Sequence, residues 1–299
     1  MSAGVDGQLL AGSSRLVTYA NFVKVAHTVF ALPFAVVGMA AASRVHPIEW
    51  RKVLLAVVAF TAARFAAMGF NRIADLRYDA LNPRTAGREL PARRMSQAAA
   101  WGLVVLMSAA FFGAAAGINR LCLVLSPVAL AWILAYSFTK RFTALCHLWL
   151  GLALAIAPVG GYLAVTGAWS TPWWQLLLLA VGVSSWVAGF DTIYSLQDES
   201  FDRQHGLRSA TVALGARGAI AVARVAHCVA IIALVAFGAS AGFGRFFGLG
   251  VTAAALLLVW EHRLVRVADY TRLDAAFFTM NGVISGVVML GALGDVLSK

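Results

Sequence analysis

This 299-residue chain predicts an all-α fold: a polytopic membrane bundle of about nine transmembrane helices with cytoplasmic cap loops. Three observations predict it. The chain is 61% hydrophobic and 12% charged, whereas soluble domains are nearer about 45–50% apolar and roughly 25% charged. Its apolar residues gather into runs close to the ~20 residues that a helix needs to cross the hydrocarbon. Its net charge of +11 is concentrated in alternate loops between those runs.

The runs, in order, cover residues 22–42, 51–70, 97–117, 121–138, 146–166, 173–190, 218–240, 243–260 and 275–297. The first follows Arg15 and contains His27, which lines a pocket or is a hydrogen-bonded packing histidine. The second is followed by Arg72, Arg77, Arg84, Arg88, Arg93 and Arg94, in a loop where Asn82-Pro83 and Gly87 break the helix. The fourth is followed by Lys140 and Arg141, the sixth by Arg203, Arg208 and Arg217, and the eighth by Arg263, Arg266 and Arg272. Loops after odd-numbered runs are poorer in Lys and Arg, so the positive-inside rule puts the N-terminus and the even loops in the cytoplasm. Pro158 and Gly160-Gly161 in the fifth run suit close helix packing or a kink. Trp50, Trp173, Trp174 and Trp260 stand at run ends, as interfacial belt residues do.

No Pro- or Ser-rich linker divides the chain, so residues 1–20 are expected as a flexible N-terminus and 21–299 as one transmembrane domain. Residues 1–14 carry no basic segment, and no cleavable signal peptide of the usual form is expected. Cys122, Cys146 and Cys228 give neither a CxxC nor a disulfide framework. Topology accounts for most of the positive charge, and nucleic-acid binding, which needs a soluble basic face, is excluded. No obligate protein partner is evident; the surrounding partners are membrane lipids.

Six of the 13 acidic residues sit in two segments, each at the end of an apolar run. Asn71, Asp75 and Asp79 recur at intervals of four, which keeps them on one helix face with a drift of about 40° per step. Asp191, Asp198 and Asp202 share a face in the second segment, beside Tyr194 and Glu199. Carboxylates beside a bilayer are costly, so such a cluster indicates function. The bland alternative, a solvated helix end, suits one carboxylate but not two matched patterns. Glu89 and Glu199 fall outside the pattern and suit the surface as well as a site.

Two facing carboxylate rows repel each other unless a cation lies between them. Oxygen-only donors suit Mg²⁺, which binds through one or two carboxylates plus substrate phosphates. Arg72, Arg77, Arg84, Arg88 and Arg208 nearby suit phosphate oxygens held in bidentate fashion. In a bilayer the matching ligand is a lipid diphosphate, its head in the charged mouth and its tail between helices.

These residues resemble the UbiA superfamily of intramembrane prenyltransferases. The likeness is carried by Asn71, Asp75 and Asp79 followed by Arg84-Thr85 and Arg88, and by Asp191, Tyr194, Asp198 and Asp202. Arg64 ahead of the first motif, Tyr136-Ser-Phe-Thr-Lys140-Arg141 and Gly206-Leu-Arg208-Ser209 extend it, the last with Arg where the family usually has Lys. The likeness runs over about residues 20–297. His27-Thr-Val-Phe30-Ala-Leu-Pro33-Phe34 and the segment around Asp79 resemble the 4-hydroxybenzoate polyprenyltransferase-like bacterial branch.

The resemblance implies Mg²⁺-dependent transfer of a polyprenyl chain from its diphosphate to a ring carbon of a hydroxy-aryl carboxylate in quinone biosynthesis, at a multi-pass site facing the cytoplasm from the bacterial inner membrane. It implies metal ligation by Asn71, Asp75, Asp79, Asp191, Asp198 and Asp202. It implies substrate contacts from Arg64, Asn71, Arg72, Arg84, Arg88, Lys140, Arg141 and Arg208, and a cation–π role for Tyr194. Arg64 is the candidate partner of the acceptor carboxylate; snorkelling, or a structural pair with Asp75, stands beside that role. A dihydroxynaphthoate, haem, chlorophyllide and a lipid remain alternative acceptors. The alternative from another class is an ion-coupled transporter, whose ion site would lie near the bilayer midplane.

Overall fold

The computed structural model describes residues 14–24, 32–265 and 273–298. Over these the chain is helical: α1 (Arg15–Phe22), α2 (Leu32–Ala42), α3 (Trp50–Ala74), α4 (Leu76–Leu81), α5 (Gln97–Ile118), α6 (Arg120–Thr139), α7 (Cys146–Thr166), α8 (Trp174–Tyr194), α9 (Glu199–Gln204), α10 (Ala210–Ser240), α11 (Arg245–Leu264) and α12 (Leu273–Leu297). Eight helices among the described residues are long and apolar enough to cross a membrane, and α2 is a shorter apolar helix. The run over 22–42 is therefore not one described helix. α1 ends at Phe22, Lys24 takes a positive φ of 47°, and α2 begins at Leu32. His27 lies outside the described residues.

Residues 15–20, expected in a flexible terminus, are helical instead. Ser14 caps α1 by accepting from the Val17 N–H, and Phe22 and Val23 are buried with Leu90, Met95 and Ala100, with Tyr19 packed against them. That apolar contact ties the N-terminal helix to the loop after α4. Side-chain caps fix other corners. Ser96 accepts from Ala99 N–H at the start of α5, and Ser209 accepts from Val212 N–H at the start of α10. Asn119, the only residue between α5 and α6, accepts from Cys122 N–H and donates to the Leu163 carbonyl, pinning that turn to α7. Each cap satisfies a donor that the helix end leaves unpaired.

Small residues let backbones approach where helices cross. A methyl group at Gly38 of α2 would collide with the Pro158 carbonyl of α7, and one at Gly161 would collide with the Ala35 carbonyl. Gly151 meets the Ser184 carbonyl of α8 in the same way. Gly161 is thus the close-packing member of the Gly160-Gly161 pair, while a side chain at Gly160 would meet nothing within 4 Å. The main core lies among α2, α7, α8, α10, α11 and α12, with Phe34, Trp186 and Phe237 fully buried. The outward faces carry Val105, Val128, Ile232, Leu249 and Leu256, exposed as a lipid-facing surface requires. Trp50, Trp173, Trp174 and Trp260 are exposed at helix ends.

Candidate active site

Between α3, α6 and α7 the bundle is hollow rather than packed. A cavity of about 900 Å³ runs from the ends of α3 and α8 down to Ile118, Leu163 and Trp169 at the opposite end of the molecule. Its deep part is apolar, with Ala59, Phe60, Ala129, Ile133 and Ala153 among its walls. Its mouth is charged. The same cavity is lined by Arg64, Asn71, Asp75, Asp79, Arg84, Arg88, Lys140, Arg141, Asp191, Tyr194, Asp198 and Asp202.

Both acidic segments reach this mouth by the same local device, a long helix that breaks and restarts as a short one. At Asp75 the backbone leaves helical geometry (φ −97°, ψ 8°), yet Asp75 N–H still bonds Asn71 O at 2.9 Å and Asp79 N–H bonds Asp75 O at 2.8 Å. The spacing of four therefore survives the kink. In the second segment, α8 passes through a 3₁₀ turn, Ser195–Asp198, into α9. The two acidic segments thus share one local architecture.

The carboxylates are interlocked with basic groups from other segments. Arg84 holds Asp198 in a fork, Nε to Oδ1 at 3.1 Å and Nη2 to Oδ2 at 2.7 Å. This ties the loop after the first motif to the second motif across more than a hundred residues. Lys140 donates to Asp202 at 2.9 Å, and its neighbour Arg141 donates to Asp75 at 3.2 Å, so one corner between α6 and α7 grips both motifs. Arg88 donates to Asp79 at 2.7 Å. Asn71 Nδ2 donates to Asp75 at 2.9 Å. Arg84 also stands 5.8 Å from the centre of the Tyr194 ring, whose hydroxyl accepts from it at 3.4 Å. Such partly buried, charge-assisted pairs hold their geometry better than exposed ones.

Burial pushes the Asp75 carboxyl above the ordinary carboxylate range, opposed by its bond from Arg141 and helped by the charge of Asp79. For Lys140, burial works against the ammonium, but Asp202 and Asp198 outweigh it and hold its pKa above the ordinary lysine value.

Two basic residues expected at the substrate stand elsewhere. Arg72 is buried and does not line the cavity, because it lies about 100° around the helix from Asn71. Arg208 turns its guanidinium to the Phe142 carbonyl at 2.9 Å, and its neighbour Leu207 lines the cavity in its place. Glu89 is buried in the loop after α4, away from the cavity lining, and Glu199 pairs with Arg203 one turn along α9 at 3.0 Å. Arg64 lines the cavity, whereas the cation bonded to Asp75 is Arg141.

One site residue escaped the sequence reading. It is His147, which stands outside both acidic motifs and has its Nδ1 2.6 Å from Asp191 Oδ2. The signal available was a polar residue one step inside an apolar run, just past the basic pair Lys140-Arg141. Tyr136, on α6, also lines the mouth, within electrostatic reach of Asp191, Asp75 and Asp202.

The donor set fits a hard divalent cation. Its ligating atoms are oxygens, and Asp79 presents a buried Oδ2 that has no hydrogen-bond partner. Among the described residues, however, no three carboxylate, histidine or cysteine groups converge as a complete cage. A metal of the Mg²⁺ type takes one or two carboxylates and completes its octahedron with water and substrate phosphate.

Comparison with known proteins gives a consistent picture. A family model described as the UbiA prenyltransferase family matches residues 31–283. The 4-hydroxybenzoate octaprenyltransferase of Alkalilimnicola ehrlichii is 33% identical over 246 residues, 82% of each chain. That of Nitrosospira multiformis is 29% identical over 248 residues, 83% of each. The apo structure of a UbiA homolog from Aeropyrum pernix K1 superposes with a TM-score of 0.82 at 36% identity, covering 90% of this chain and 98% of that one. A UbiA homolog from Archaeoglobus fulgidus bound to DMAPP and Mg²⁺ shares the fold, with a TM-score of 0.72 at 17% identity over 94% of this chain and all of that one.

Proposed function

This chain belongs to the UbiA prenyltransferase family, and from that premise we propose that it transfers a polyprenyl chain from its diphosphate to a ring carbon of a 4-hydroxybenzoate-type acid, with Mg²⁺ as the cofactor. It is an enzyme, a multi-pass integral membrane prenyltransferase. The observation that carries the finer reading is the meeting of both acidic motifs, through Arg84–Asp198 and the Lys140-Arg141 corner, over one deep apolar cavity. Supporting it, the bacterial relatives are named for 4-hydroxybenzoate, and a protein of the same fold holds Mg²⁺ with a prenyl diphosphate.

In this reading Asn71, Asp75, Asp79, Asp191, Asp198 and Asp202 would hold the metal. When bound, Mg²⁺ neutralises charge that grows on the diphosphate oxygens as the allylic C–O bond breaks. Arg84, Arg88, Lys140 and Arg141 exchange their carboxylate partners for phosphate oxygens and hold the leaving group. Once that exchange is made, donors aimed at developing charge need no further reorganisation at the moment of reaction. The isoprenoid tail lies along the apolar walls, which exclude water from the electron-poor carbon. The faces of Tyr194 and Tyr136 at the mouth stabilise that carbon by cation–π contact. Arg64, deeper in the cavity, holds the acceptor carboxylate, so the carbon beside the phenolic hydroxyl faces the prenyl C1. The new C–C bond forms there, and loss of the ring proton restores aromaticity. The excess of Lys and Arg in the loops at the charged end supports a mouth on the cytoplasmic side of a bacterial inner membrane.

The test is a product-mass assay on the purified chain, offering 4-hydroxybenzoate and a dihydroxynaphthoate with one long-chain prenyl diphosphate. The expected result is prenylated 4-hydroxybenzoate with one diphosphate released per product. Product only from the dihydroxynaphthoate would move the acceptor assignment. Release of diphosphate with neither acid prenylated would overturn it.

A further inference from the structure

We propose that His147 is a positioning residue that fixes the Asp191 carboxylate for metal binding, and that it does so as the hub between the α6–α7 corner and the start of α10. This rests on the metal–diphosphate reading above and adds a residue that the acidic motifs do not contain.

Four contacts define the hub. His147 Nδ1 meets Asp191 Oδ2 at 2.6 Å. Its other ring nitrogen, Nε2, faces the Ala210 N–H at 3.4 Å, in the first turn of α10. The adjacent Cys146 Sγ donates to the Arg208 carbonyl at 3.7 Å, and Arg208 N–H donates to the Lys140 carbonyl at 2.6 Å. His147 is buried, 3% exposed, with Asp191 as its one carboxylate partner among the described residues.

The chemistry follows from the two ring nitrogens. With a backbone N–H facing Nε2, the proton belongs on Nδ1, which donates to Asp191 Oδ2. That bond occupies one carboxylate oxygen and fixes the plane of the group, leaving the other oxygen for the cavity that Asp191 lines. A carboxylate free to rotate would lose that alignment. Outer partners of this kind set ligand orientation, and removing one typically lowers metal affinity about 10–100-fold. The hub also transmits position. His147 sits between Asp191 on α8 and Ala210 on α10, so the loop that joins the second motif to α10 is held in register with the metal-binding face.

The purified full chain is titrated with Mn²⁺ in the presence of inorganic diphosphate, with free Mn²⁺ read by electron paramagnetic resonance. Three variants are compared with wild type. His147→Phe keeps the bulk and removes both nitrogens. His147→Asn puts an amide N–H as many bonds from the backbone as Nδ1. His147→Gln puts it one bond further. The expected result is an apparent Kd for Mn²⁺ raised about tenfold to a hundredfold in His147→Phe, with His147→Asn close to wild type. Should the Phe variant not fold, Asn against Gln decides in the same way, with Gln the weaker binder. Wild-type Mn²⁺ affinity in His147→Phe, or His147→Asn no better than the Phe or Gln variant, would overturn the proposal. A wild type that binds no Mn²⁺ with diphosphate would overturn the metal reading beneath it as well, so the two failures are told apart.

Discussion

Asp79 has one oxygen bonded to Arg88 and one buried oxygen without a hydrogen-bond partner, and Asp75 is shared between Asn71 and Arg141. Carboxylates so placed gain most from a divalent cation, because a buried acceptor left unpaired is costly. Asp75→Ala and Asp191→Ala are therefore expected to lower turnover at least about a hundredfold, with each protein still purifying as a monodisperse species. Diphosphate release measures this, and normal turnover in either variant would remove that residue from the metal site. Arg64→Ala is expected to raise the KM for the aromatic acid more than for the prenyl diphosphate; an unchanged acceptor KM would return Arg64 to a structural role. At this scale the sequence was most legible where chemistry follows spacing. Intervals of four exposed Asn71, Asp75 and Asp79, and their side chains do line one cavity. It was least legible where partners lie far apart in the chain. His147 finds Asp191 44 residues on, and Arg208 finds a backbone carbonyl rather than the cavity.

The elements that build the mouth are breaks in helices rather than helices. Apolar run lengths gave α3, α5, α6, α7 and α8 to within a few residues, since a bilayer fixes helix length. The same runs stop short of the charged turns that carry the motifs, and the α3–α4 kink and the 3₁₀ turn before α9 come from tertiary contacts that run length does not encode. The loop after α4 is held by its own Asx contact, Arg84 N–H to Asn82 Oδ1 at 3.0 Å, and by the fork from Arg84 to Asp198. A fork needs a planar guanidinium, so Arg84→Lys is not conservative here. It is expected to lower kcat/KM for the prenyl diphosphate about tenfold or more, read by steady-state kinetics with the acceptor saturating; an unchanged value would detach this loop from the diphosphate. Away from the mouth, Gly38→Val forces α2 off α7. It is expected to cost about 1–3 kcal/mol, a fall of roughly 2–10 °C in apparent Tm by thermal scan in detergent. An unchanged Tm would show that α2 yields without loss.

As a whole the molecule divides its labour between a packed half around Trp186 and Phe237 and a hollow half around the cavity. Composition and loop charge predicted the bundle and the shared side of the two motifs. They did not predict which half is hollow, because lipid-facing, core-facing and cavity-facing apolar residues are chemically alike. The central claim lives at this scale: two segments more than a hundred residues apart act as one metal–diphosphate site. The most direct measurement is a double-mutant cycle on Mn²⁺ binding with a non-cleavable prenyl thiodiphosphate, using Asp75→Asn, Asp198→Asn and the pair. The account predicts that each single change weakens the ternary complex and that the two changes are non-additive, with a coupling of about 1 kcal/mol or more. Wild-type binding in either single variant, or strictly additive losses, would mean that the two motifs do not share the ligand, and would contradict the account.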